Sequence, residues 1–211
     1  MIEKQDVILF IAAYLIGSIP TSVWLGRRFY SKDVREFGSG NAGATNTLRV
    51  LGKKAGAVVL LIDIFKGWLA VALVTLSTYP QGSGARIHLE VALALAAIVG
   101  HIFPIYVGFK GGKGVATTMG IIIGISPVIA LLCMVVFAIV LIVSHYVSLA
   151  SMLAVSSFPL WILAVSKNHY SWLIAFSILL PLMVIFMHRK NIIRLLKRQE
   201  SELKIFRKKA Q

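Results

Sequence analysis

Acidic residues are scarce in this chain: eight Asp and Glu stand against 22 Lys and Arg, for a formal net charge of +14. Such an excess suggests nucleic acid as a partner, but its placement argues against that. Nine of the Lys and Arg follow His188, and most of the others lie in short segments between apolar runs. That is how a membrane protein marks its cytoplasmic side. Charge of either sign is thin, at 14% of residues against about 25% in soluble domains. Hydrophobic residues make up 58%, more than a soluble fold of this size can bury, so lipid is expected to solvate much of the surface. The only cysteine, Cys133, sits inside an apolar run and excludes an intrachain disulfide. The N-terminal stretch lacks a cationic region followed by a small-residue cleavage site, so the first apolar segment is expected to be retained. No internal repeat, low-complexity tract or second domain is visible, and residues 1–211 are read as one membrane-embedded domain.

What is abundant is apolar sequence, in runs over roughly 7–26, 55–79, 87–107, 115–145, 148–166 and 171–187. The run 115–145 is too long for one span, since about 20 residues cross the hydrocarbon. Gly120, Gly124 and Ser126-Pro127 interrupt it, and proline disfavours helix at the residue before it. Splitting it into a short helix over 114–125 and a full one over 128–145 gives seven spans. Seven spans also put the basic 27–54 segment, Lys110 with Lys113, and the tail on one side, leaving isolated cations such as Arg86 and Lys167 on the other. The expected fold is therefore an all-α bundle of about seven transmembrane helices, N-terminus outside and C-terminus cytoplasmic. The tail from 188 to 211 is expected to be helical and interfacial, with Ile192, Leu195, Leu196, Leu203 and Phe206 on one face over anionic headgroups.

Three polar stretches share the predicted cytoplasmic side. The first is Gly38-Ser39-Gly40-Asn41-Ala42-Gly43-Ala44-Thr45-Asn46-Thr47-Leu48-Arg49. Its glycines let the backbone approach an anion. A helix starting near Asn41 places Thr45 and Arg49 on one face, with Asn46 beside Arg49. The second is Gly100-His101-Ile102-Phe103-Pro104 followed by Phe109-Lys110-Gly111-Gly112-Lys113-Gly114-Val115-Ala116-Thr117. It leads into the short helix, whose N-terminus suits a phosphate, although the Walker pattern is missing. The third is His188-Arg189-Lys190-Asn191-Ile192-Ile193-Arg194-Leu195-Leu196, with Glu200 beyond it. Each also has a plainer reading: a flexible Gly/Asn loop, a basic loop with packing glycines, and a basic stop-transfer flank. Asp63 and Lys66, ionisable groups at membrane depth, form either an ion pair that orients the helix or part of the chemistry. Tyr146, Ser148 and Ser151 lie at a predicted cytoplasmic mouth, where packing between helices competes with ligand binding.

Taken together, Gly-Ser-Gly-Asn-Ala-Gly-Ala-Thr-Asn at 38–46, Phe-Lys-Gly-Gly-Lys-Gly-Val-Ala-Thr at 109–117 and His-Arg-Lys-Asn-Ile-Ile-Arg-Leu at 188–195 resemble the bacterial acyl-phosphate-dependent glycerol-3-phosphate acyltransferases. Asp63, Lys66-Gly67, Gly100-His101 and the run 146–151 fit as well, so the resemblance spans essentially the whole chain. One departure is Lys197-Arg198-Gln199-Glu200, where many members have a glycine shortly before the glutamate. The resemblance implies transfer of a fatty acyl group from acyl phosphate to the sn-1 hydroxyl of glycerol 3-phosphate. The products would be lysophosphatidate and phosphate, in the first step of membrane phospholipid synthesis at the bacterial cytoplasmic (inner) membrane, with the active site facing the cytoplasm. Expected partners are the two substrates, the bilayer and, in contact, the soluble enzyme that makes acyl phosphate.

The His-x-x-x-x-Asp signature of the other large glycerophosphate acyltransferase class is absent, since none of Asp6, Asp33 and Asp63 follows a histidine by five residues. No Cys or Ser stands in a nucleophile setting, and no cluster has metal-ligand spacing, so neither cofactor nor metal is expected. An acyl phosphate is already activated, and direct attack needs mainly positioning and charge neutralisation. His188, Asn191 and Lys113 are the expected catalytic residues. Ser39, Asn41, Thr45, Asn46, Arg49, His101, Lys110, Gly111, Gly112, Gly114, Thr117, Ser148 and Arg194 are expected to bind substrate, with backbone N–H groups at 111–115 holding the acyl phosphate. The proton acceptor is either His188 or a substrate phosphate oxygen. A phosphate or organophosphate carrier using the same loops is the competing function, although carriers commonly place their site at the midplane between repeats.

Overall fold

The computed structural model describes residues 3–166 and 170–203, and all regular elements among them are helical. The expected positions Lys167 and Phe206 fall outside the described residues. The chain forms two compact units: the described residues up to Pro127 together with Tyr170–Leu173, and the remainder from Val128 onward.

In the first unit, α1 (Lys4–Gly17) opens with a reciprocal cap between Glu3 and Asp6. The expected single span over 7–26 is instead two helices, because Ile19-Pro20 breaks the ladder and α2 (Thr21–Tyr30) leaves at 42°. Proline lacks the N–H that a continuous helix would use there. Next come α3 (Ala44–Leu51), α4 (Lys53–Ala72), α5 (Gly84–Ile102) and the short α6 (Val115–Ile125). Glycines set the closest helix approaches. Gly17 of α1 faces the Ala97 backbone of α5, and Gly100 of α5 faces the Tyr14 carbonyl and Ser18. Gly67 of α4 meets the Thr117 carbonyl of α6, and Gly120 of α6 meets the Ile64 carbonyl of α4. In lipid, where burying apolar side chains gives little drive between helices, such small-residue contacts supply the packing. A local core of Val23, Val34 and Ala42, edged by Leu51 and Val107, supports the segment between α2 and α3.

In the second unit, α7 (Pro127–Ser144) starts at the proline that separates it from α6. Then come α8 (Val147–Ser156), α9 (Phe158–Val165), α10 (Ser171–Met187) and α11 (Arg189–Leu196). Phe158 and Phe176 pack edge to face at 6.3 Å in its core. The tail is not one continuous amphipathic helix. It bends by 62° after α10, and α11 ends at Leu196, so Leu203 lies off the helix that was expected to carry it. Four helical stretches are long and apolar enough to cross a bilayer, two bent pairs meet the same test as pairs, and α6 is a shorter apolar helix.

Candidate active site

The loop before α3 is organised by Asn46. This side chain is 1% exposed, donates to the carbonyls of Val34 (2.8 Å) and Phe37 (3.1 Å), and accepts the Ser39 N–H at 2.8 Å. Gly38 turns here with φ +61°, and a Cβ on it would strike the Asn46 carbonyl oxygen. Asn46 therefore gives both ends of its amide to loop shape rather than to a ligand. Thr47 caps back onto the Gly43 carbonyl at 3.0 Å. Thr45 is half-buried and Arg49 exposed, while Ser39 is exposed and Asn41 half-buried on the loop.

Sequence reasoning missed the strut that joins this loop to the next. Asp33, at the start of a single 3-10 turn, accepts from Arg27 (2.9 Å) and Arg35 (2.8 Å). Arg35 also donates to the carbonyls of Val107 (3.0 Å) and Lys110 (3.3 Å). The Arg35 hydrogen bond, outweighing burial, holds the Asp33 carboxyl down at about 2. The guanidinium fork can grip a carboxylate and two carbonyls at once, but neither residue stands in a recognisable motif.

The Lys110–Gly114 stretch departs from one expectation. The N–H of Gly111 donates to the Ile102 carbonyl (3.1 Å) and that of Gly112 to the His101 carbonyl (3.2 Å). These are the last carbonyls of α5, which a helix end leaves without intrahelical donors. Both glycines are therefore closing a helix, and their amides do not face an anion. A Cβ at 111 would meet the His101 carbonyl and Pro104, and one at 112 the His101 ring and the Ala42 carbonyl. The amides from Gly114 through Thr117, in the first turn of α6, have no helix carbonyl to bind, since the first intrahelical bond is Thr118 N–H to Gly114 (2.7 Å). Gly114 sits at φ +83° with only distant neighbours, so its role is conformational. Lys110 is exposed and Lys113 half-buried.

Beneath this loop lies a narrow cleft lined by Thr21, Ala42, Asp63, Lys66, His101, Gly111 and Gly112, among others. It brings the first and second motifs together. Lys66 and Asp63 pair at 2.8 Å with side chains 4% and 3% exposed. Lys66 also donates to the Ile19 carbonyl at 2.8 Å, and Thr21 donates to Asp63 at 3.1 Å. His101 Nδ1 shares a hydrogen bond with Thr117 at 3.0 Å.

In the second unit, Glu200 gathers the third motif. It accepts from Asn191 Nδ2 (2.6 Å), Ser148 Oγ (2.8 Å) and Arg194 Nε (2.7 Å). Burial alone would raise its pKa, but these hydrogen bonds from Arg194, Asn191 and Ser148 leave it below the ordinary value. Three residues expected to touch substrate thus share one carboxylate, and the residue given no role by its sequence is their hub. The signal was the glutamate closing the basic motif. His188 is 3% exposed. Its Nδ1 lies 2.8 Å from the Val184 carbonyl, which can only accept, so Nδ1 carries a proton and donates it there.

Residues 7–198 match the model of the family described as glycerol-3-phosphate acyltransferase. The chain belongs to that family. It is 39% identical over 200 residues to the glycerol-3-phosphate acyltransferase of Staphylococcus carnosus, covering 94% of this chain and 98% of the relative. To that of Chlorobaculum tepidum it is 42% identical over 227 aligned positions, covering 95% and 97%. Among solved structures it is similar to the glycerol 3-phosphate form of PlsY (YgiH), an integral membrane glycerol 3-phosphate acyltransferase. The TM-score is 0.84 at 35% identity, covering 96% of this chain and 99% of the other. The lysophosphatidic acid form of the same enzyme gives 0.82. As a glycerol-3-phosphate acyltransferase, the chain is an integral membrane enzyme, and the carrier reading of its loops falls away.

Proposed function

We propose that this acyltransferase uses acyl phosphate as donor and forms lysophosphatidate and inorganic phosphate at the cytoplasmic face of a bacterial inner membrane. The observation that carries the reading is the start of α6, where the amides from Gly114 to Thr117 are open and Lys110 and Lys113 stand just before them. Amides at a helix start, with cations beside them, favour a phosphate dianion. In this reading the sn-1 hydroxyl attacks the acyl carbonyl, the bond from carbon to the phosphate oxygen breaks, and phosphate leaves with the electron pair. The hydroxyl proton passes to a phosphate oxygen, with His188 as a hydrogen-bonding support. Arg49, Thr45 and Ser39 bind glycerol 3-phosphate. Asn191, Ser148 and Arg194 act as a set ordered by Glu200, and Asn46 shapes its loop.

In this reading each bent pair makes one crossing and α6 another, for seven crossings, and the basic connections on the cytoplasmic side put the N-terminus outside. The soluble enzyme that makes acyl phosphate is the partner this chemistry calls for at the basic face. Purified protein in detergent, given glycerol 3-phosphate with acyl phosphate, acyl-CoA or acyl-carrier protein in turn, is expected to form lysophosphatidate from acyl phosphate alone. Equal product from a thioester donor would sink the donor assignment.

A further inference from the structure

Residues 33–37 lie outside the three motifs, yet they touch two of them. On one side Asn46 donates to the Val34 and Phe37 carbonyls, and Asn46 belongs to α3, which also carries Thr45 and Arg49. On the other side Arg35 Nη1 donates to the Val107 carbonyl at 3.0 Å and the Lys110 carbonyl at 3.3 Å. Between those two carbonyls the chain reverses through Gly108 (φ +70°) and Phe109 (φ +58°). A left-handed residue that carries a side chain is costly, and Phe109 is 55% exposed, so burial of its ring does not hold it there. What spans the reversal is the Arg35 guanidinium, helped by the Phe109 N–H, which donates to the Pro104 carbonyl at 2.9 Å.

The guanidinium is itself aimed. Asp33 accepts from Arg35 Nη2 at 2.8 Å, from its Nε at 3.0 Å and from its backbone N–H at 3.0 Å, and it also accepts from Arg27 of α2 at 2.9 Å. That leaves Nη1 pointing at the reversal. A lysine ammonium cannot copy such a fork. The fold has other support here, since Val34 is fully buried against Val23 and Ala42, and ion pairs that reach the surface add little stability. Strained backbone held by its neighbours clusters at working sites. We propose that Arg35, aimed by Asp33, is a positioning residue that fixes the Lys110 turn relative to the helix carrying Arg49. Small misplacements of binding groups are expensive in rate. The inference rests on the reading of Arg49 and Lys110 as phosphate-binding cations, and not on which substrate each one takes.

The test combines steady-state kinetics, melting temperature in detergent and hydrogen–deuterium exchange on Arg35→Lys, Arg35→Gln and Asp33→Asn. Arg35→Lys keeps the charge and loses the fork, while Asp33→Asn keeps Arg35 and loses its aim. Expected in both Arg35 variants is a fall in kcat/KM of about tenfold to a hundredfold, with a smaller fall in Asp33→Asn. The melting temperature should stay near wild type, and exchange should quicken over 104–112 while α4 holds its protection. Wild-type kinetics in Arg35→Lys would mean that charge alone matters and would overturn the proposal. A fallen melting temperature with faster exchange throughout the first unit would make the cluster a scaffold and overturn it too. Lost activity with exchange over 104–112 unchanged would make Arg35 a substrate contact, again against positioning. Lys110→Met separates the two layers of argument. If it lowers kcat/KM while the Arg35 variants do not, the positioning role alone fails. If its kinetics are wild type, Lys110 binds no substrate and the positioning role falls with that reading.

Discussion

Arg198 adopts φ +54°, a left-handed conformation that side chains resist. It stands two residues before Glu200, where α11 has ended and the chain must turn back. Gln199 N–H there donates to the Arg194 carbonyl at 2.7 Å. Arg198→Gly is therefore expected to stabilise the protein by about 1 kcal/mol, read as a raised melting temperature with unchanged kinetics. Glu200 itself gives a pH signature. Its folded pKa lies below the ordinary value of 4.5, so its contribution is complete above that value and is lost as pH falls through the lower, folded one. Thermal stability should drop as pH is taken from about 6 to about 3, and Glu200→Gln should show a smaller drop over that window, measured by unfolding scans in detergent. The hub was not legible in the sequence because Ser148 lies 52 residues from its partner. Asn46 was misplaced for a similar reason. Its spacing from Arg49 suggested a shared ligand face, but carbonyls nine and twelve residues earlier took its amide first.

The helices were far more legible than their bends. Apolar runs and Pro127 mark α4 to α7 in the sequence, because length and a missing N–H are local properties. The bend after α10 has no proline at its centre, and the apolar pattern through Leu195 and Leu196 continues on paper to Leu203. The helix α11 stops at Leu196, where a buried carboxylate just beyond it takes Arg194 and Asn191, a tertiary demand that outweighs periodicity. How α4 and α6 meet was equally hidden, since a glycine in an apolar run reads the same whether it faces lipid or a backbone. Gly120 faces the Ile64 carbonyl and the Trp68 nitrogen, atoms that cannot swing aside. Gly120→Ala is expected to destabilise by about 1–3 kcal/mol as overpacking. Gly84→Ala, whose nearest neighbour is a Tyr170 ring carbon at 3.9 Å, should be close to neutral, and parallel denaturation of the two variants checks the contrast.

Across the molecule, the excess of +14 suits an enzyme whose family acts on a phosphate ester. Eleven of the 22 Lys and Arg lie in α1 to α5 and α11, nearly all of them in a first or last turn, close to the connections that carry others. One such connection also closes a helix, for the amides of Gly111 and Gly112 complete the last turn of α5. Loop and helix end therefore open as one cooperative unit rather than as a floppy segment beside a rigid one. Hydrogen–deuterium exchange should find these two amides nearly as protected as α5 itself, while glycines such as Gly82 and Gly108 exchange quickly. By thermodynamic linkage, whatever binds the α6 start must also slow the fraying of α5. Added inorganic phosphate is thus expected to deepen protection at His101 and Ile102, residues whose backbone it need never touch. In such a unit the ligand is read out by a helix end, and the strength of that end in turn sets how readily the loop accepts a ligand.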